Sequence, residues 1–176
     1  MSTGAPDGEG KRTSYLELFF DLVFVLAITQ VAGRLHEDHT VTGWAHAGLL
    51  LWLVWWAWCQ YAWTANAVDV DRPHVRAAVL AVIGATLLAA VAIPDAFAAQ
   101  GAWFALPYTA VRAAGLALYW AGLRNDPAHR AALRTYLPVA SISPTLVLLG
   151  GLGPPSARAW IWTLALVVDV ASVAAA

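Results

Sequence analysis

Six long apolar runs, separated by short polar clusters, organise the chain. A helix that crosses a bilayer needs about 20 mainly apolar residues. The runs that approach this length are 15–33, 44–66, 75–93, 103–123, 133–152 and 158–176. The connectors between them carry turn and breaker residues. Residues 36–42 are polar, and Asp69-Val70-Asp71-Arg72-Pro73 is charged and ends in proline. Pro94-Asp95 opens a small-residue link to Gly101, and Arg124-Asn125-Asp126-Pro127 opens a charged one. Residues 150–156 hold three glycines and two prolines. The pattern predicts an all-α, polytopic membrane bundle of six transmembrane helices over residues 15–176. Residues 1–14, rich in Gly, Pro, Ser and Thr, read as a disordered tail.

The basic residues then give an orientation. On alternating sides, the tail and the second and fourth loops hold Lys11, Arg12, Arg72, Arg76, Arg124, Arg130 and Arg134. The opposite loops hold Arg34 and Arg158. The positive-inside rule places the N-terminus in the cytoplasm. Lys11 and Arg12 before an apolar run resemble the start of a signal peptide. Glu17 and Asp21 inside that run, with no small-residue cleavage site, favour a retained first helix. The sixth run ends on Val-Ala-Ala-Ala without a basic anchor. That ending predicts a truncated chain or half of a larger protein.

Composition strengthens the membrane assignment. Apolar residues make up 60% of the chain and charged ones 12%, against about 45–50% and about 25% in soluble domains. A net charge of −1 excludes a nucleic-acid partner. Cys59 is the single cysteine, so no intrachain disulfide or zinc cluster is expected. Lys11, the one lysine, lies in the tail, which excludes a retinal Schiff base within the bundle. The chain has no P-loop, nucleophile elbow or H-E-x-x-H motif. No enzymatic activity and no cofactor are expected.

Charges inside the apolar runs are the candidate chemistry, because an unpaired charge in hydrocarbon is costly. Glu17 and Asp21 lie one helical turn apart at the start of the first run. At the helical rise, Asp21 lies roughly 9 Å from the cytoplasmic edge. Arg112 and Asp169 lie roughly 14 Å and 17 Å from the outer edge, near the midplane. Arg112 is expected to pair with Asp169 or Asp21 across helices. The four residues Glu17, Asp21, Arg112 and Asp169 read as a charge network or a polar path, with Thr29 and Gln30 deeper on the first helix. They serve equally well as structural glue.

The second run is crowded with Trp52, Trp55, Trp56, Trp58 and Trp63. Aromatic packing is favoured over a cage for a cationic ligand. Trp44, Trp103 and Trp160 stand at outer span starts, as in an aromatic belt. His36 and His39 lack a third fixed metal ligand and read as a solvated loop.

The string from Glu17 to Gln30, E-L-F-F-D-L-V-F-V-L-A-I-T-Q, closely resembles the opening helix of the bacterial low temperature requirement A family. The tryptophan-rich second run, the Asp69–Arg72 string D-V-D-R and the arginine in the fourth run are also similar to that family. The resemblance implies a multi-pass protein of the bacterial inner membrane, roughly twice as long as this chain, with no defined molecular activity. More weakly, Phe19, Asp21, Val23, Phe24, Ala27, Ile28 and Thr29 resemble the first pore helix of potassium channels with a Phe-Ser-Asp motif. Phe20 stands where that motif has serine, and Tyr15 where it has arginine. The weaker resemblance and the charges within the runs lead to the expectation of ion or solute transport, linked to stress or cold growth by the family's name, with a membrane scaffold as the alternative. The expected partners are the lipid bilayer and a second copy or a second-half polypeptide.

Overall fold

The computed structural model describes residues 15–68, 72–124 and 126–174, so the tail expected over residues 1–14 lies outside the described residues. The described chain is all-helical. Its helices are α1 (Tyr15–Glu37), α2 (Val41–Ala67), α3 (Pro73–Ala92), α4 (Ala102–Leu123), α5 (Pro127–Leu152) and α6 (Pro155–Ala174), with a 3₁₀ turn at Ile93–Asp95 after α3. Each covers one apolar run. Several begin earlier than the run because their starts are set by capping chemistry. Thr40 accepts the Gly43 N–H at the start of α2, and Asp126 accepts the Ala128 N–H at the start of α5. Proline occupies the first turn of α3 and α5 and the first position of α6, where its missing N–H costs nothing.

Three helical segments, Leu18–Glu37, Pro73–Asp95 and Pro127–Leu152, are long and apolar enough to cross a membrane. All ten tryptophans lie in α2, α4 and α6. Indole carries a polar N–H and lowers average hydropathy even where the ring is at home in a membrane. Arg112, Arg158 and Asp169 lower it further in α4 and α6, and all three are buried.

The helices form two four-membered groups that share α2 and α4. In the first group α1 packs on α2 and α3, and α3 packs on α4. Phe20, Phe24, Leu50, Leu53, Val79 and Ile83 meet at its centre. Phe20 stacks on Tyr61 with centroids 3.4 Å apart. In the second group α4 packs on α5, α5 on α6, and α6 returns to α2. Gly115 lets α2 approach α4, since a Cβ there would stand 3.0 Å from the Gln60 amide nitrogen.

Candidate functional site

Arg112 projects from the middle of α4 towards α6. Its Nη2 lies 3.1 Å from Asp169 Oδ1, and its Nη1 lies 3.5 Å from Asp169 Oδ2. Both side chains are 2% exposed. Arg112 Nη1 also donates to the Tyr108 hydroxyl at 3.1 Å, one turn back on α4. Burying two charges costs several kcal/mol each in lost hydration, which only close pairing and further hydrogen bonds offset. Polar groups surround the pair accordingly. Gln60 of α2 donates to the Arg112 carbonyl at 3.0 Å, and Ser172 donates to the Asp169 carbonyl at 2.7 Å. Ser143 and Trp56 lie beside the Asp169 carboxylate. Three polar positions of this cluster have no hydrogen-bond partner among the described residues: Gln60 Oε1, Arg112 Nε and Ser143 Oγ.

A cavity of about 380 Å³ opens next to this cluster, between α2, α4, α5 and α6. Gln60, Thr64 and Ser172 form its inner wall, and Trp63, Tyr119 and Tyr136 form its sides. Gln60 and Ser172 are the residues bonded to the ion-pair backbone, so the pair stands directly behind the inner wall. His129 stands at the mouth, with Nδ1 2.7 Å from Asp126 Oδ2. The His129 ring and then the Ala128 N–H hold the Asp126 carboxyl below the usual carboxylate range. The cavity lies where α2, α4 and α6 end and α5 begins.

At the opposite end of the bundle, arginine side chains bond backbone carbonyls of the connecting segments. Arg158, at the start of α6, is 1% exposed and has no carboxylate partner among the described residues. Its Nε donates to the Gly150 carbonyl at 3.1 Å, and Nη1 donates to Ala96 at 3.1 Å and also to Ala98. Nη2 faces the Gly151 and Gly153 carbonyls, each at 3.5 Å. One guanidinium thus ties the segment after α3 to the turn between α5 and α6. A Cβ on Gly101 would occupy the guanidinium itself. Trp162 backs this clasp and donates to the Val147 carbonyl at 3.0 Å. Arg34, at the end of α1, donates to the Pro94 carbonyl at 2.6 Å on the same end.

Of the two carboxylates open to Arg112 in the sequence, Asp169 is the one it meets. Asp21 is elsewhere. It is exposed on the outer surface of α1 and accepts the Trp58 indole N–H of α2 at 2.9 Å. Depth along a helix axis does not fix which way a residue faces, and α1 turns Phe20, Phe24 and Ala27 inward instead. Glu17 lies in α1, but its side chain falls outside the described residues. Thr29 is exposed and bonds back to the Val25 carbonyl at 2.9 Å. The tryptophans of α2 pack on one another: Trp52 stacks on Trp56 at 5.6 Å, and Trp56 meets Trp63 edge-on at 6.1 Å. The Arg158 clasp was hidden in the sequence because it stands at a span start, where it reads as a loop cation. The signal for it is the nearby run of three glycines, which exposes backbone carbonyls at close range. Among the described residues no three His, Cys, Asp or Glu side chains converge to hold a metal.

A helical bundle with apolar outer faces, charges turned inward and helices of spanning length defines an α-helical membrane protein. More particularly, the chain belongs to the bacterial low temperature requirement A (LtrA) family, whose sequence model matches residues 12–176. It is 33% identical over 159 residues to an uncharacterized protein of Rhizobium meliloti (strain 1021). The match takes in 90% of this chain and 39% of that protein, so the chain spans well under half the length of that relative. No solved structure matches.

Proposed function

We propose that this chain is a six-span domain of the bacterial inner membrane, with its N-terminus in the cytoplasm, that conducts a small cation or proton through the α2–α4–α5–α6 group. The observation that carries this reading is the desolvated Arg112–Asp169 pair directly behind the inner wall of a one-sided cavity. With that orientation the cavity opens to the cytoplasm, and the Arg34 and Arg158 bonds close the outer end. Arg112 is then a built-in cation on the Asp169 carboxylate. An incoming cation or proton competes for that carboxylate, and displacement of Arg112 separates α4 from α6.

The outward faces support spanning by α2, α4 and α6 despite their tryptophans. Leu51 and Trp55 of α2, Leu106 of α4 and Leu164 and Val167 of α6 are exposed, as lipid contact requires. Trp44, Trp103 and Trp160 are 58%, 70% and 78% exposed near one end of the bundle, which suits an interfacial belt. Asp21 has no part in the path; its bond to Trp58 ties α1 to α2.

A second reading, a scaffold in which the pair only fastens α4 to α6, is favoured by the near-complete burial of both side chains. Cation flux into proteoliposomes separates the two. Conduction predicts flux down an imposed H⁺, Na⁺ or K⁺ gradient and its loss in Asp169→Asn. Absence of flux under all three gradients, or equal rates for both proteins, would sink conduction and leave the scaffold.

A further inference from the structure

A second concave site lies on the other side of α5 from the cavity. The ends of α4 and the first turns of α5 enclose a groove of about 570 Å³. Three arginines, Arg124, Arg130 and Arg134, line it together with Trp120. Its remaining wall includes Leu137 and Pro138, further along α5 towards the bilayer interior.

No described acidic side chain neutralises the charge in this groove. Among the described residues none of the three arginines forms an ion pair; the nearby Asp126 is held by His129. The Arg124 guanidinium lies 4.8 Å from the centroid of the Trp120 ring. The Arg130 Nε donates to the Arg124 carbonyl at 3.3 Å, which fixes its stem and leaves both terminal nitrogens. Arg134 follows Arg130 by four residues, so the two share a helix face. The arrangement therefore has a cationic end and an apolar end. Guanidinium forks match phosphate oxygens, and Trp120, 45% exposed, is suited to the headgroup level.

We infer that this groove binds the headgroup of an anionic phospholipid, with the phosphate on Arg124, Arg130 and Arg134 and an acyl chain along Leu137 and Pro138. Basic pockets between helices at the cytoplasmic face recognise such lipids by charge. A free phosphate would use the arginines alone and gain nothing from the apolar wall. The site rests on the proposed membrane placement but on neither the ion path nor its direction.

Native mass spectrometry of the detergent-solubilised protein, titrated with phosphatidylglycerol, phosphatidylcholine or inorganic phosphate, tests it. Phosphatidylglycerol should bind at least tenfold more tightly than phosphatidylcholine. The Arg124→Gln/Arg130→Gln/Arg134→Gln variant should bind phosphatidylglycerol more weakly by on the order of 100-fold, since each basic group contributes roughly tenfold or less. Arg134→Gln alone, at an exposed position where folding is not at stake, should lose several-fold. Arg76→Gln, on the same side but outside the groove, should bind as the wild type does. Equal binding of the two lipids, unchanged binding by the triple variant or Arg134→Gln, or an equal loss in Arg76→Gln would overturn the site. Full displacement of bound lipid by millimolar inorganic phosphate would overturn a lipid as its ligand. These readouts are taken without a membrane gradient, so they stand or fall separately from the flux experiment.

Discussion

The two four-helix groups share α2 and α4 yet are built on opposite terms. Between α1, α2, α3 and α4 lies a void of only about 20 Å³, with apolar side chains packed around it. Between α2, α4, α5 and α6 there is a cavity of about 380 Å³ and a buried ion pair. Sequence sets this difference. The inner faces of α1 and α3 offer Phe20, Phe24, Val79 and Ile83, which interlock without polar demands. Helix α5 offers Ser143, Pro144 and a string of hydroxyl-bearing residues, and α6 offers Asp169. Pro138 and Pro144 each remove an N–H from the α5 ladder, and Thr109 of α4 bonds the Pro144 carbonyl at 3.1 Å across the gap. One half is densely packed; the other holds space, polar groups and an ion pair, which the proposed conduction would use.

The contrast breaks most severely at the ion pair. Arg112→Leu strands Asp169 in the interior and should cost about 3–5 kcal/mol, read as the loss of thermal stability in detergent. Arg112→Leu with Asp169→Leu should recover much of that stability yet abolish flux, which separates fastening from function. Next in size is the outer clasp. Arg158→Met leaves several buried carbonyls without donors, for a loss of roughly 3 kcal/mol or more. Gly101→Ala should act in the same direction, because its Cβ displaces the guanidinium.

In the wall half, Phe20→Ala should cost about 3 kcal/mol by opening a void, with the flux of the remaining folded protein unchanged. Tyr136→Phe in the cavity should do the reverse, leaving the melting temperature within a few degrees and altering flux. The smallest effect concerns pH. The Asp126 carboxyl sits below its usual range through His129 and the Ala128 N–H, so its stabilising cap is present above the ordinary carboxylate range. It is lost as pH falls through the lowered value. Asp126→Ala should therefore lower the melting temperature at neutral pH and leave it unchanged in strong acid.

Much of the architecture was legible because prolines, glycines and charges punctuate the apolar runs. Helix α3 starts at Pro73 and α5 at Pro127. The partnership of Arg112 with a carboxylate was legible from cost alone, and its depth match with Asp169 pointed the right way. Asp21 was misplaced because rotation of a helix about its axis depends on packing, which Phe20 and Phe24 decide here. The Arg158 clasp escaped because its partners are backbone carbonyls, which carry no residue identity. The cavity escaped because it depends on the separation of α5 from α2, which no single helix encodes.

Thiol accessibility tests the division into a packed half and a half with an open cavity most directly. In a Cys59→Ala background, Ser172→Cys reports on the inner wall of the cavity and Ala90→Cys on the packed half. A membrane-impermeant maleimide added to inside-out vesicles should label Ser172→Cys, and the same reagent on right-side-out cells should not. Ala90→Cys should stay unlabelled from both faces. Labelling of Ser172→Cys from the outside alone, its silence from both faces, or equal labelling of Ala90→Cys would contradict the account.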